Sequence, residues 1–242
     1  MNPAVTIWKR ECLAALRSTA FWWIAAGFAA VLGLRFTSAL RIAAGTIEHM
    51  PAVFCTQLLL VLCIPVALFT MSLFASERVH GTLEALMTAP VSDAQVVLGK
   101  FAAACTLVFI SLLLACLVLP IYMAYAAPAP ACSRPSLYTG LGVVALFAVA
   151  GCAGGALVSL LAPHPAAAAL ATGVFTLACA AAFTGNVPGF GGRLLLLPTD
   201  IADFARGSAD TRVLFAAISA IAFFLFCAVR VLESRRWITS SK

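Results

Sequence analysis

One polar segment of the chain reads Ser76-Glu-Arg-Val-His-Gly-Thr-Leu-Glu-Ala-Leu-Met-Thr-Ala-Pro-Val-Ser-Asp-Ala-Gln-Val-Val-Leu-Gly-Lys100. It holds three acids, two bases and a histidine, whereas the whole chain has only 15 Lys and Arg residues and 9 Asp and Glu residues. The uncharged runs on both sides are each long enough to cross a bilayer, which takes about 20 apolar residues. We therefore predict a membrane protein that presents this segment to a soluble partner.

The composition supports a membrane location for the rest of the chain. Hydrophobic residues make up 63% of the 242 residues and charged residues 10%, whereas soluble domains carry about 25% charged residues. No polar stretch is long enough to bury a core of its own, so we predict one polytopic helical membrane domain over residues 1–242. The net charge of +6 comes from bases at the ends of apolar runs. Because there is no basic stripe with interleaved aromatics, we expect contact with the lipid bilayer and none with nucleic acid.

Six apolar runs predict an all-α fold with six transmembrane helices. The runs cover about 18–41, 52–75, 101–126, 136–161, from the turn at 163–165 to about 185, and 213–229. Six spans place both termini on the same side. If that side is the cytoplasm, nine of the fifteen Lys and Arg residues are inside and six are outside, as the positive-inside rule requires. We therefore predict a cytoplasmic (inner) membrane protein with both termini in the cytoplasm.

The N-terminal residues 3–18 are predicted to form an amphipathic helix in the membrane interface. One face carries Val5, Trp8, Cys12 and Leu16, at helical spacing. The other face carries Thr6, Lys9, Arg10 and Arg17. The predicted interfacial anchors are Trp8, Lys9, Arg10, Arg17 and, near the other end of the chain, Arg235, Arg236 and Trp237. A plain cytoplasmic tail is the alternative for the N-terminal helix.

Residues 186–212 interrupt the apolar pattern between the fifth and sixth runs. Asn186-Val-Pro-Gly-Phe-Gly-Gly192 cannot continue a helix. The apolar piece Arg193-Leu-Leu-Leu-Leu-Pro198 is too short to span a bilayer. Acids and bases with helical spacing follow at 200–212. We predict a short re-entrant or surface-lying helix pair on the outer face, with an ordinary loop as the alternative.

The polar segment 76–100 is the only substantial cytoplasmic loop of this topology. Its first half favours a helix that Pro90 ends, because proline disfavours the helical conformation of the preceding residue. Ser92-Asp-Ala-Gln95 has the form of a capping box, so a second helix begins there and runs into the third span. A solvated connector is the alternative, although a connector needs only a few residues.

No catalytic or metal-binding pattern is present in the sequence. Seven of the nine cysteines lie inside apolar runs, Cys12 lies in the N-terminal helix, only Cys132 falls in a loop, and none has the spacing of a zinc site. There is no phosphate-binding loop and no protease signature around the three histidines. We therefore expect no disulfide, no metal, no cofactor and no enzymatic activity. The absence of paired carboxylates within the spans also disfavours a secondary carrier.

The segment from Ser76 to Ser92, continued by Leu98-Gly-Lys-Phe101, resembles the signature of type 2 ABC exporter permeases. The gliding-motility-type permeases, which have about this length and six spans, are the most similar subgroup. The pattern Glu77, Gly81, Thr82 and Glu84 carries the likeness, and the start with Lys9, Arg10 and Glu11 resembles the connecting helix of these permeases. The stretches 201–212 and 232–237 also resemble the family. Ser76 is a departure, because acid–acid pairs are common at that point.

The resemblance implies a permease subunit of an ATP-binding-cassette transporter, driven by a separate ABC-type ATPase subunit. Two permeases, either two copies of this chain or one copy and a similar permease, would each dock one ATPase. The segment 76–100 would hold the coupling helix, with ATPase contacts at Glu77, Arg78, Gly81, Thr82, Leu83, Glu84, Leu86 and Met87. The outer piece at 190–207 would cap the path between the permeases. Two alternatives stay open: a membrane component that transmits force or a signal without moving cargo, and a secondary carrier.

Overall fold

The computed structural model describes residues 3–42, 50–79, 92–117, 134–183 and 211–240. Within these ranges all regular secondary structure is helical. The helices are α1 (Pro3–Arg17), α2 (Thr19–Ile42), α3 (Met50–Met71), α4 (Ala75–Val79), α5 (Asp93–Cys116), α6 (Arg134–Leu161), α7 (Pro165–Phe183) and α8 (Thr211–Ser240). The all-α prediction is confirmed for this part of the chain.

Five helical stretches of the described residues are long and apolar enough to cross a membrane. They are Thr19–Ser38, Val53–Val79, Asp93–Cys116, Leu137–Leu161 and Val213–Ser234. The predicted fifth span corresponds to α7, whose apolar stretch Pro165–Ala181 is shorter than the others. The prediction of a multi-pass membrane protein is therefore confirmed, while the number six rests on α7.

Helix α3 forms the centre of the bundle. It packs against α2, α5, α6 and α7, and its side chains at Leu58, Leu59, Leu62 and Val66 are fully buried. A helix that is apolar on every face is expected where neighbours surround it on every side. This explains why the second apolar run of the sequence shows no polar stripe.

Two glycines bring α6 close to α3. A Cβ added at Gly155 would lie 2.7 Å from the Cβ of Thr70, and one added at Gly151 would lie 3.1 Å from a methyl group of Val66. Small residues at such crossings allow helix backbones to approach closely in a membrane. From the sequence alone, Gly151, Gly154 and Gly155 of the fourth apolar run predict a close helix contact, and the structure confirms it at Gly151 and Gly155.

Helix α8 lies at the edge of the bundle. It packs mainly against α6 and less extensively against α5. Large apolar side chains are exposed along its first half, at Leu214, Phe215, Ile218, Phe223 and Phe226, and the exposed charged side chain of Arg230 follows them. Such a surface suits contact with hydrocarbon rather than water.

Several predicted features lie outside the described residues. They are the turn at Pro90 and the other residues of 80–91, Cys132, and the outer segment 186–212 as far as residue 210. The last two residues of that segment belong to α8, which begins at Thr211. The other eight cysteines are free thiols.

Candidate functional site around Lys100

The start of α5 is built as the sequence predicts. The hydroxyl of Ser92 accepts a hydrogen bond from the Gln95 amide at 3.4 Å, and Oε1 of Gln95 accepts one from the Ser92 amide at 3.3 Å. This capping box satisfies two amide groups that a helix N-terminus leaves without intrahelical partners. It fixes where α5 begins, and Lys100 follows two turns later.

Lys100 is 2% exposed, although it carries an ammonium group. Its Nζ donates to Oε1 of Glu77 at 2.7 Å, to the carbonyl oxygen of Leu73 at 2.8 Å and to Oε1 of Glu11 at 3.5 Å. The ring centroid of Phe74 lies 5.3 Å from the same nitrogen. Burying such an ion costs several kcal/mol. The three acceptors offset that cost because they match the three N–H donors of the ammonium.

The cluster of Lys100, Glu77 and Glu11 connects three parts of the chain that are distant in sequence. Glu11 lies on α1, Glu77 on α4 and Lys100 on α5. Glu77 and Lys100 stand on either side of residues 80–91. The two ends of that segment are thus tied to each other and to the N-terminal helix through one ammonium group.

Glu11 is ionised in this setting. Burial opposes its charge, but the nearby Lys100 ammonium and the hydrogen-bonded Arg10 guanidinium outweigh burial and hold the pKa of Glu11 below its ordinary value. Nη2 of Arg10 lies 3.0 Å from Oε1 of Glu11. The carboxylate therefore keeps its negative charge beside Lys100 at neutral pH.

Helix α1 lies along α5. A Cβ added at Gly99 would lie 2.9 Å from the carbonyl oxygen of Ala4 and 3.2 Å from the side chain of Ile7. One turn further, the indole N–H of Trp8 donates to the hydroxyl of Thr106 at 3.0 Å. A glycine at position 99 thus lets the two helices approach, and the indole contact fixes their register.

Of the face predicted for α1, Trp8, Cys12 and Leu16 pack against the bundle. Val5 was assigned to the apolar face but is 47% exposed, while Ile7 and Glu11 face α5. The sequence pattern did not show the contact of Glu11 with α5, because hydropathy alone assigns a carboxylate to the polar side. Lys9, Arg10 and Arg17 are exposed, as their charge requires.

A serine of α6 holds the junction between α3 and α4. The hydroxyl of Ser159 accepts the amide hydrogens of Phe74 at 3.1 Å and Ala75 at 3.2 Å, and it donates to the carbonyl oxygen of Met71 at 3.2 Å. One hydroxyl therefore serves backbone groups at the end of α3 and at the start of α4. The side chain is 1% exposed, so these groups depend on it rather than on water.

Arg78 closes a second contact between α4 and α6. Its Nη1 donates to the carbonyl oxygen of Ala162 at 2.9 Å, just past the end of α6. A cation at a helix C-terminus meets the partial negative charge of the last carbonyls. Arg78 and Ser159 together fix α4 against the end of α6.

The predicted ATPase contacts divide into two groups. Glu77 and Arg78 are described, and both bind groups within the chain at the base of the segment. The remaining predicted contacts lie outside the described residues: Gly81, Thr82, Leu83, Glu84, Leu86 and Met87. Of the predicted anchors at the other terminus, Arg235, Arg236 and Trp237 belong to α8.

Sequence reasoning missed Lys100 and Ser159 as functional residues. Lys100 was treated as a base at the end of an apolar run and as part of the stretch that resembles the family, with no role of its own, and Ser159 only as part of the fourth span. A signal for Lys100 exists, because it is directly followed by an uncharged run from 101 to 133, so the helix must bury it or place it at the interface. Nothing in the sequence distinguishes Ser159 from the other hydroxyl residues of the spans.

The family model described as ABC-2 family transporter protein matches residues 9–179. The matched region runs from the first half of α1 through most of α7, so it contains Glu11, Glu77 and Lys100. No curated protein matches the chain. The match covers well over half of the 242 residues, and this apolar, multi-helix chain therefore belongs to the ABC-2 transporter family of membrane proteins.

Proposed function

We propose that the chain is the permease subunit of an ATP-binding-cassette exporter and that a separate ATPase subunit drives it. Membership of the ABC-2 family implies a partner ATPase in general. The observation that carries the proposal is the buried Lys100, whose ammonium binds the carboxylates of both Glu77 and Glu11. A simple connector between two spans needs no such buried charge.

The contacts around Lys100 suit the transmission of movement from a partner into the bundle. A partner that displaces residues 80–91 pulls on α4 and α5 together, since the ion pair between Glu77 and Lys100 joins these two flanking helices. Glu11 carries the displacement to α1, and Ser159 and Arg78 carry it to α6. These contacts couple the segment to four helices: α1, α4, α5 and α6.

The proposed assembly contains two permeases and two ATPases. Each ATPase binds one segment 76–100. The contacts are at Glu77 and Arg78, which also anchor the segment to the bundle, and at Gly81, Thr82, Leu83, Glu84, Leu86 and Met87. The chain itself holds no cofactor, and ATP hydrolysis takes place in the partner. The sequence resemblance to the gliding-motility-type permeases supports assigning the chain to that subgroup.

The proposed topology has six spans, with α7 as the fifth and both termini in the cytoplasm. The exposed bases Lys9, Arg10 and Arg17 then lie at the cytoplasmic interface, as do Arg235, Arg236 and Trp237. Cysteine labelling from one side of the membrane tests it, with Ser92→Cys and Ala205→Cys on a cysteine-free background. Labelling of both positions from the same side excludes the topology.

A charge reversal tests the docking of the ATPase. Glu84→Lys is expected to weaken co-purification of the ATPase and to abolish the stimulation of its ATP hydrolysis, because truncating or reversing one charge of an interface pair costs about 2–5 kcal/mol. Asp210→Lys is the matched control, since it places the same charge change on the proposed outer face. If both variants dock and stimulate the ATPase as the unmodified chain does, the segment is a connector and the proposal fails.

A further inference from the structure

A second site lies in the half of the bundle away from Lys100. It is a cavity of ≈ 350 Å³ between α6, α7 and α8. The size is near the lower end of the range for small-molecule sites, about 300–1,000 Å³. On α6 it reaches from Val143 to Gly151, and Ser159 lies beyond that range towards α4.

The cavity exists because the α8 wall is made of small residues. Ala216, Ala217 and Ala220 face it, so α8 packs on α6 without filling the space next to α7. At one end, the rings of Phe175 and Phe224 meet edge to face with centroids 5.8 Å apart. Both rings rest on Gly154, where an added Cβ would lie 3.1 Å from Phe175 and 3.8 Å from Phe224. The two rings form a floor at the end nearest to Ser159.

The lining is suited to hydrocarbon. Among the residues that the structure describes, no charged side chain contributes to it. Its hydroxyl group, on Thr176, already donates to the carbonyl oxygen of Thr172 at 2.8 Å within α7. The described lining offers a lipid headgroup or a polar solute no counter-ion, and besides the Thr176 hydroxyl its side-chain donor is the weak one of the Cys179 thiol, whereas an apolar chain has no polar group to desolvate.

The dimensions match one leaflet of a bilayer. The lining residues of α8 run from Val213 to Phe224, a distance of about 16 Å at about 1.5 Å per residue. Half of a hydrocarbon core of about 30 Å is close to that length. Next to lining residues in the sequence, Val174 on α7 and Phe215 and Ile218 on α8 are exposed and would face acyl chains.

We propose that this cavity binds one acyl chain of a membrane phospholipid from the leaflet opposite to the Lys100 cluster. The chain terminus rests on the floor formed by Phe175 and Phe224, and the headgroup stays outside near Val143 and Val213. The site does not depend on the ATPase, so it stands or falls separately from the proposed function.

Photolabelling of the full chain in bilayers of phosphatidylethanolamine and phosphatidylglycerol tests the proposal. Two probes are phosphatidylethanolamines with a diazirine either at the acyl-chain terminus or next to the glycerol. In the unmodified protein, the terminal probe is expected to label peptides around Phe175 and Phe224, and the glycerol-proximal probe those around Val143 and Val213. Identical labelling by both probes, or labelling confined to the exposed side chains Phe215 and Ile218, overturns the proposal.

Cavity-filling substitutions give an independent test. Ala217→Phe and Ala220→Phe are each expected to lower labelling by the terminal probe roughly tenfold. The added ring is expected to keep about two methylene groups of the acyl chain out of the cavity. Ala222→Phe makes the same change on the exposed side of α8 and is expected to leave labelling unchanged. Equal labelling of all three variants contradicts the proposal. If a filled variant does not fold, the two-probe pattern of the unmodified protein decides alone.

Discussion

The ammonium of Lys100 and the carboxylate of Glu77 form an ion pair of 2.7 Å with side chains that are 2% and 17% exposed. The two residues flank residues 80–91, which belong to the segment 76–100 that the resemblance implies to contact a partner ATPase. Buried ion pairs are poor sources of net stability but costly to break. The pair therefore holds α4 and α5 in a fixed position relative to each other.

Lys100→Ala is expected to lower the free energy of unfolding by about 3–5 kcal/mol, because it leaves carboxylates of a buried cluster without their cation. Denaturant unfolding in detergent micelles measures this loss. Arg230→Ala is the control, since Arg230 pairs with Glu233 at 3.1 Å but the two side chains are 66% and 39% exposed. Its cost should stay below about 1 kcal/mol. Equal, small costs for the two variants would mean that the cluster is not buried as described.

Ser159→Ala is expected to destabilise the protein by about 1–3 kcal/mol, since it leaves two buried amide donors and one carbonyl without their partner. The same unfolding measurement applies. Ser219→Ala removes an exposed hydroxyl of α8, which donates to the carbonyl oxygen of Ala216 at 2.9 Å. That change should fall within about 0.5 kcal/mol of zero. A Ser159→Ala variant as stable as Ser219→Ala would contradict the assigned role of Ser159.

Gly155→Ala and Gly142→Ala are expected to shift stability in opposite directions. The added methyl at position 155 collides with the side chain of Thr70, and overpacking of this kind costs about 1–3 kcal/mol. No described residue lies within 4 Å of a Cβ added at Gly142, so alanine there should stabilise α6 by about 0.5–1 kcal/mol through helix propensity. Thermal unfolding of both variants decides, and shifts of the same sign are the outcome that excludes the α3–α6 packing.

Glu11 should make stability dependent on pH in the acid range. Its folded-state pKa is held below the unfolded value of 4.5, so the unfolded chain binds a proton first as the pH falls. The stabilisation is present above 4.5 and is lost as the pH decreases through the folded pKa. Glu11→Gln removes this contribution, so the stability gap between the two proteins should narrow on acidification. A gap that is constant between neutral pH and the acid range would show that Glu11 does not titrate differently in the two states.

Much of the fold follows from local sequence signals. The apolar runs predict the long helices, Ser92 and Gln95 predict the start of α5, and Gly151 and Gly155 predict a close helix contact. These features depend on residues that are near one another in the chain or on a single helix face. The shorter α7 was harder to assign, because 19 residues of mostly alanine and other apolar side chains fit both a short span and a buried helix.

The centre of the candidate site depends on packing between distant segments. Glu11 and Lys100 are 89 positions apart, and Ser159 is 84 positions from Ala75. A lysine at the end of an apolar run has the same local sequence whether it extends to the headgroups or binds buried carboxylates. Only the placement of α1 along α5 and of α4 against α6 distinguishes these two situations.

ATP hydrolysis by the partner ATPase, with and without this chain in a lipid bilayer, tests the central claim most directly. The partner for this test is the ABC-type ATPase that is expected to copurify with the chain in mild detergent. The account predicts that the ATPase co-purifies with the chain, hydrolyses ATP faster in its presence, and loses that increase with Glu84→Lys but keeps it with Asp210→Lys. An ATPase that neither binds the chain nor responds to it, together with a chain that is stable and active alone, would contradict the account.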